Sequence, residues 1–304
     1  MGAALAEAFA PARLVFEEVD DALAQRLSRL MFEGPEDQLT LTENAQPALM
    51  AVSLAVVRVL EHEAGIALGA KADLVAGHSL GEYSALAAVG TLELADAARL
   101  LKRRGQAMQE AVPVGVGAMA ALLGLDLEAA AEVAAEAAAG TEPGAEPQVC
   151  APANDNAPGQ VVVSGHKAAV ERAVALAGAR GAKRCIMLPV SAPFHCALMA
   201  PAAEVMAEAL AAVTLRPPQV PLVANVTAAP VTSPEEIRRL LVEQVTGMVR
   251  WRESVLAMKA AGIDTLVELG AGKVLSGLAR RIDRELTGTA AGTPEDVEAL
   301  VKSL

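Results

Sequence analysis

The sequence feature that most restricts the fold is GHSLG at residues 77–81, a serine between two glycines. The apolar residues 74–76 before it predict a short buried strand, and SLGEYSALAAVG predicts a helix that ends near Gly90. A G-x-S-x-G sequence between a strand and a helix is typical of a nucleophile elbow, a sharp turn that holds a serine hydroxyl above a sheet edge. Ser79 is therefore the candidate nucleophile, and the backbone amide of Leu80 is placed to donate to an oxyanion.

The rest of the chain alternates strand-like and helical segments, which predicts an α/β fold. Residues 114–189 contain the order strand, helix, strand, strand, helix, strand, which is the ferredoxin-like arrangement. We therefore expect a large α/β domain formed by residues 1–112 and 190–304, with a small ferredoxin-like domain inserted at 113–189.

Local signals assign several segments within these domains. Asp126 is expected to cap the helix that follows the strand GAMAALLGL, and NDNAPG at 154–159 is expected to be a polar turn between two strands. Ser233 and Glu236 form the S-x-x-E pattern of a capping box. The stretch TGTAAGTPED at 287–296 is expected to be mobile, with a short terminal helix after it.

Composition excludes several classes of protein. Hydrophobic residues make up 53% of the chain, yet no continuous apolar stretch reaches the roughly 18 residues that a membrane span needs. The N-terminus lacks a signal peptide, and three cysteines without CxxC spacing predict neither a zinc site nor a disulfide framework. A net charge of −12 argues against a nucleic-acid partner. These features indicate a protein of the reducing cytoplasm that contains no metal.

A serine nucleophile needs a base, and the chain has four histidines. His62 lies between glutamates in a helical stretch and is expected to be solvated, whereas His166 is expected to cap a helix. His78 precedes the serine, where an elbow directs its side chain elsewhere and favours a structural hydrogen bond. His195 lies in PVSAPFHCALM, a proline-bounded loop that leads into a helix and can present a base rigidly. We therefore expect His195 to be the base.

Arg104 is the charge that says most about the substrate. Ala97, Leu101, Arg104 and Met108 are spaced four, three and four residues apart, so the arginine lies on the apolar stripe of a helix. One interpretation is an arginine that snorkels near the helix end. The other is a cation that faces the serine and binds a substrate carboxylate through its bidentate fork.

A serine esterase or thioesterase is a competing interpretation of the elbow. In α/β-hydrolases the histidine follows the acid late in the chain. Here no histidine follows His195, although more than 100 residues remain, and the ferredoxin-like insert is not part of the hydrolase plan. These departures weaken the interpretation as a hydrolase.

The chain resembles one known family from about residue 3 to residue 285, and seven segments carry the resemblance. They are GHSLGEYSALAAVG, RRGQAMQEAV, GAMAALLGL, ANDNAPGQVVVSG, LPVSAPFHCALMAPA, VRWRES and ELGAGKVLSGLARRI, and they resemble the bacterial malonyl-CoA:acyl-carrier-protein transacylases of the acyltransferase family. The resemblance implies an α/β-hydrolase-like large domain with a ferredoxin-like insert. It also implies malonyl transfer from malonyl-CoA to the phosphopantetheine thiol of acyl carrier protein, through a malonyl-serine ester, for fatty acid biosynthesis. A cytoplasmic monomer without metal or redox cofactor, membrane or nucleic acid is expected.

The resemblance also implies roles for individual residues. Arg104 matches the arginine that pairs with the malonyl carboxylate, and Phe194 matches a residue whose bulk would crowd the methyl branch of methylmalonyl. His78 is placed with these substrate-binding residues. In this family a backbone carbonyl orients the histidine, and the matching position is Arg250, where many relatives carry glutamine.

The start of the chain departs from the family pattern. The family opens with a strand and a GQGSQ loop, whose glutamine amide is the second oxyanion donor beside Leu80, whereas MGAALAEAF resembles the segment that follows that loop. Losing one such donor costs roughly 10²–10³ in rate. The sequence therefore predicts an unstable or weakly active chain that an added strand and GQGSQ loop would rescue. A non-catalytic remnant that binds carrier protein is the alternative.

Overall fold

A computed structural model describes residues 1–140 and 148–303 of the chain. Its α-helices are α1 (Ala3–Ala8), α2 (Ala10–Leu23), α3 (Leu27–Glu33), α4 (Glu36–Leu39), α5 (Thr42–Ala64), α6 (Leu68–Lys71), α7 (Gly81–Ala88), α8 (Leu94–Glu110), α9 (Leu127–Ala139), α10 (Lys167–Ala179), α11 (Ala200–Ala211), α12 (Pro234–Thr246), α13 (Trp251–Ala260), α14 (Val274–Ile282) and α15 (Pro294–Ser303). Its strands are β1 (Val75–Ala76), β2 (Gly117–Leu123), β3 (Cys150–Ala157), β4 (Gln160–His166), β5 (Arg184–Met187), β6 (Leu222–Val223), β7 (Pro230–Val231), β8 (Thr265–Leu269) and β9 (Thr287–Ala291).

The largest core is helical and is centred on α5. Thirteen residues of this helix are buried, because apolar residues surround nearly the whole of its middle section. Helices α2 and α8 pack against it, and the short sheet of strands β1, β6 and β7 lies next to this core. Strand β1 pairs in parallel with β6, so their carboxyl ends meet at one edge, where the candidate nucleophile is found.

The second core is formed by a four-stranded sheet with the order β3-β4-β2-β5 and by helices α9 and α10. All neighbouring strands are antiparallel, and both this pairing and the strand order are those expected of a ferredoxin-like unit. The predicted side-chain cap is present, because Asp126 accepts a hydrogen bond of 2.9 Å from the amide of Ala129. The predicted fold class is confirmed, while the boundaries of 113–189 stay a prediction.

Three local predictions are wrong. Residues 154–157 continue β3 instead of forming a turn, since their polar side chains bind the large domain rather than solvent. Residues 287–291 are not a mobile tail but form β9, whose backbone pairs in parallel with β8 without needing large apolar side chains. His166 does not cap α10 with its side chain, because its Nδ1 accepts from the amide of Val149 at 2.8 Å. Among the described residues, no helix is long and apolar enough to cross a membrane.

Candidate active site

Ser79 lies at a strained turn between β1 and α7. Its φ of +53° is in the left-handed region, which an L-residue enters only at an energetic cost. At Gly77 a Cβ atom would lie 1.9 Å from the carbonyl oxygen of Gly81, so the tight turn requires glycine there. A Cβ at Gly81 would meet no atom of the described residues within 4 Å, so this second glycine is not forced by crowding there. The sequence prediction of an elbow at Ser79 agrees with this geometry.

Asn225, two residues after β6, holds the turn in place. Its Oδ1 accepts from the Ser79 amide at 2.8 Å, and its Nδ2 donates to the Gly77 carbonyl at 2.7 Å. The side chain is buried, so these bonds are not exchanged for bonds to water. Asn225 therefore offsets part of the strain in the elbow.

His195 is the base that faces Ser79. Its Nε2 lies 2.8 Å from Ser79 Oγ, and its Nδ1 lies 2.9 Å from the carbonyl of Gln244 and 3.2 Å from that of Gly247. Since a carbonyl only accepts, Nδ1 carries the proton and Nε2 is free to accept the serine hydroxyl. Burial and, to a lesser extent, the charge of Arg104 lower the pKa of His195 to about 3, so the ring is neutral at pH 7.

Arg104 is buried beside the same serine. Its Nη2 donates to Ser79 Oγ at 3.1 Å and to Gln244 Oε1 at 2.9 Å, while its Nη1 donates to Gln46 Oε1 at 2.7 Å. The side chain is only 1% exposed, so the interpretation as a snorkelling surface arginine is wrong. Within residues 1–140 and 148–303 the buried Nε–H of Arg104 has no hydrogen-bond partner, which leaves the guanidinium able to bind a further acceptor.

Four buried polar residues complete the site and were not predicted from the sequence: Gln46, Glu82, Asn225 and Gln244. Burial raises the pKa of Glu82 to about 7, although the bonds from Gln244 and from the Asn225 amide and the charge of Arg104 act in the opposite direction. A signal was present at Gln46, a polar residue at the start of the long apolar run of α5. Another was present at Asn225, a polar residue directly after an apolar strand.

Comparison with known proteins identifies the family. Residues 1–295 match the acyl transferase domain. The chain belongs to the acyl transferase domain family. The malonyl CoA-acyl carrier protein transacylase of Bacillus subtilis (strain 168) is 45% identical over 304 residues, which cover 100% of this chain and 92% of that protein.

Two solved structures of acyl transferases also resemble the chain closely. The acyl-carrier-protein-S-malonyltransferase from Bartonella henselae has a TM-score of 0.95 at 55% identity, and the match covers 100% of this chain and 94% of the other. A type II PKS acyl-carrier protein in complex with its malonyl-transacylase gives a TM-score of 0.94 at 42% identity, with 100% and 95% covered.

In this acyl transferase His78 links the elbow to the small domain. Its Nε2 lies 2.8 Å from Oδ1 of Asn156 in β3, and its ring lies 5.7 Å from that of Trp251. Burial lowers the pKa of His78. The structural hydrogen bond expected for His78 is therefore present, whereas contact with substrate stays a prediction.

Phe194 and Leu80 are the chain neighbours of His195 and Ser79, respectively. Phe194, next to His195, packs between the α5 core and a small cluster that includes Met119 and Val162. The first turn of α7 occupies the amides of residues 81–83, which donate to the carbonyls of residues 78–80. The amide of Leu80 precedes them, as expected of an oxyanion donor; both roles stay predictions.

The prediction that the Arg250 carbonyl orients His195 is wrong. Arg250 is the N-cap residue just before α13, so its carbonyl accepts the first bond of that helix from the amide of Ser254 at 2.9 Å. The carbonyls that contact His195 come instead from the end of α12 and just after it, where helix carbonyls lack intrahelical partners. Among the described residues no cluster of three His, Cys, Asp or Glu side chains could hold a metal ion.

Proposed function

We propose that this acyl transferase is an [acyl-carrier-protein] S-malonyltransferase, which moves malonyl groups from malonyl-CoA to acyl carrier protein for fatty acid synthesis. One observation carries the proposal: a buried guanidinium lies 3.1 Å from a serine hydroxyl that itself lies 2.8 Å from a neutral histidine. The serine and histidine suit acyl transfer, and the guanidinium suits an acyl group that ends in a carboxylate. The names of the relatives agree with this substrate.

The first half-reaction loads the serine. His195 Nε2 accepts the hydroxyl proton of Ser79 as Oγ attacks the thioester carbonyl of malonyl-CoA. The Leu80 amide donates to the oxyanion that forms. When the C–S bond breaks, the proton on Nε2 passes to the leaving sulfur, which gives free coenzyme A and a malonyl ester on Ser79.

The second half-reaction runs the same steps in reverse with a different thiol. The phosphopantetheine thiol of acyl carrier protein gives its proton to His195 Nε2, and its sulfur attacks the ester carbonyl. Breaking the ester C–O bond returns the proton to Ser79 Oγ and leaves malonyl on the carrier. Coenzyme A enters as a thioester substrate, and the scheme needs no further cofactor. We place this reaction in the cytoplasm, carried out by a monomer.

Specificity is assigned to two side chains. Arg104 pairs with the free carboxylate of the malonyl group through N–H groups that neutral glutamines leave unused. Phe194 narrows the space beside the α-carbon, which disfavours a methyl branch. We also place His78 near the thioester of the bound substrate, because it directly precedes Ser79 in the chain.

Incubation with malonyl-CoA followed by intact-mass measurement tests the proposal. We expect a malonyl adduct that is absent in Ser79→Ala and that transfers to added acyl carrier protein. Arg104→Ala should lose malonyl loading by at least about 100-fold while acetyl loading changes far less, because only malonyl has a carboxylate to pair. Free malonate without carrier protein would indicate a thioesterase, no adduct would indicate a non-catalytic remnant, and equal losses in Arg104→Ala would refute the carboxylate role.

A further inference from the structure

Gln244 contacts His195, Arg104 and Ser79 through three different atoms. It is fully buried in the last turn of α12. Its carbonyl accepts from His195 Nδ1 at 2.9 Å, its Oε1 accepts from Arg104 Nη2 at 2.9 Å, and its Nε2 donates to the Ser79 carbonyl at 3.0 Å. The same Nε2 also contacts the Glu82 carboxyl.

Chemistry fixes which way the Gln244 amide points. Arginine only donates, so the amide oxygen must face Arg104, and a carbonyl only accepts, so the amide nitrogen must face Ser79. A flipped amide would place two donors against each other on one side and two acceptors on the other. The side chain is therefore locked in one orientation between the arginine and the elbow.

This lock determines where the guanidinium lies. Nη2 of Arg104 divides its two hydrogens between Gln244 Oε1 and Ser79 Oγ, so the reach of Gln244 sets how closely the cation approaches the nucleophile. Gln46, from α5, fixes the other nitrogen. Both acceptors are neutral, so neither competes as an ion with an incoming carboxylate.

We infer that Gln244 is a positioning residue that sets the preference of Ser79 for malonyl over acetyl groups. Its side chain holds the Arg104 fork beside the nucleophile, and its neutral amide leaves the positive charge available to the substrate. The backbone carbonyl of the same residue orients the base, so one residue aligns the nucleophile, the base and the carboxylate-binding arginine. The inference rests on the proposed malonyl transfer.

Two substitutions test the side chain separately from the backbone. Gln244→Glu keeps the shape but places a carboxyl group between Arg104 and Glu82; even if the two acids share one proton, one negative charge remains beside the arginine. Gln244→Met keeps the length and removes the acceptor. Arg239→Gln is the matched control, since it changes the net charge by the same amount on an exposed face of the same helix.

The measured quantity is the ratio of kcat/KM for Ser79 loading from malonyl-CoA to that from acetyl-CoA, each followed by intact mass. We expect the ratio to fall at least about tenfold in Gln244→Glu, by ion pairing of Arg104, and to fall in Gln244→Met, while Arg239→Gln keeps the original ratio. If Gln244→Glu does not fold, the ratio in Gln244→Met decides.

Equal losses of kcat/KM for malonyl-CoA and acetyl-CoA would mean that Gln244 only supports the fold. A Gln244→Met chain that does not fold would mean the same. Either result overturns the inference. Failure of the proposed function gives a different result, because the unsubstituted protein would then form no malonyl adduct at all.

Discussion

Single residues in this site derive their chemistry from burial around one positive charge. Arg104 lies among neutral acceptors, and its charge lowers the pKa of both His195 and Glu82, although burial is the larger influence on each. For the histidine the two influences act together, so the ring stays neutral. For the glutamate they oppose each other, which leaves its pKa at about 7. The group that gains or loses a proton near neutral pH is therefore Glu82 and not His195.

The pH dependence of acylation follows from these values. The deprotonated ring is the base, and its pKa of about 3 keeps it deprotonated as the pH falls from 8 to 5. We expect the rate of Ser79 loading from malonyl-CoA to show no step that belongs to His195 in this range. Rapid-quench intact mass at each pH, with circular dichroism to verify folding, provides the measurement.

Glu82→Gln separates the two groups, because it fixes that side chain in a neutral form. A step near pH 7 that disappears in Glu82→Gln arises from the glutamate. A step near the ordinary histidine value of about 6.5 that persists in this variant would contradict the assignment of a depressed pKa to His195.

The sequence predicts the residues whose chemistry is visible in a local motif. Ser79 is given by its flanking glycines, Arg104 by its place on an apolar stripe, and His195 by elimination among four histidines. The role of Gln244 was missed and Arg250 was wrongly predicted for the same reason. Which carbonyl faces the imidazole depends on where α12 ends in space. Helix ends are set by tertiary packing as well as by sequence, so no local pattern could have identified them.

Among the elements, the crossing of α5 and α8 matters most to the site. It brings Oε1 of Gln46 on α5 within 2.7 Å of Nη1 of Arg104 on α8. Gly105 makes this close approach possible, because a Cβ there would lie 2.4 Å from the Cα of Glu43. A glycine in the middle of a helix weakens it by roughly 0.5–1 kcal/mol relative to alanine, so the close contact accounts for its presence.

Gly105→Ala tests this account of the crossing. Better helix propensity favours the variant by at most about 1 kcal/mol, whereas displacing backbone of α5 costs about 1–3 kcal/mol, so we expect net destabilisation in urea unfolding. Malonyl loading should fall more than acetyl loading, since the helices separate at the Arg104–Gln46 bond. Gly178→Ala in α10 is the matched control: a Cβ there would meet no atom within 4 Å in the part of the chain that the structure describes, and this variant should be neutral or stabilised. If both alanines stabilise the protein, the crossing does not depend on glycine.

Elements were predicted well where hydrophobic periodicity is strong and less well where pairing partners are distant. The order of strands and helices around β2 and α9 follows from local patterns alone. Strand β9 contains mostly threonine, glycine and alanine, and it is a strand because its backbone pairs with β8 along five residues. Such a segment has little intrinsic preference for any structure, which is why its composition indicated mobility.

At the scale of the whole molecule, three consecutive residues of β3 join the ferredoxin-like unit to the large domain, and one of them reaches the elbow. Asn154 forms a parallel bridge with Val249. The Nε–H of Arg252 is shared between the two carboxylate oxygens of Asp155, at N–O distances of 2.9 and 3.1 Å. Asn156 is hydrogen-bonded to His78. The polar side chains of this segment, which suggested a turn, thus form hydrogen bonds between the two units. The arrangement fixes the small unit relative to Ser79, so its stability and the acylation rate should change together.

Asp155→Asn tests that coupling. The carboxylate is 1% exposed, so losing its charge weakens bonds that water does not replace, and we expect a loss of about 1–3 kcal/mol in unfolding free energy. Glu33→Gln is the matched control, because the Arg29–Glu33 pair is 66% and 65% exposed and should contribute less than about 1 kcal/mol. The Asp155 variant should also load malonyl more slowly at a temperature where it is fully folded, since the next residue, Asn156, holds His78, which directly precedes the nucleophile. Unchanged loading in a measurably destabilised variant would mean that β3 stabilises the fold without aligning the elbow.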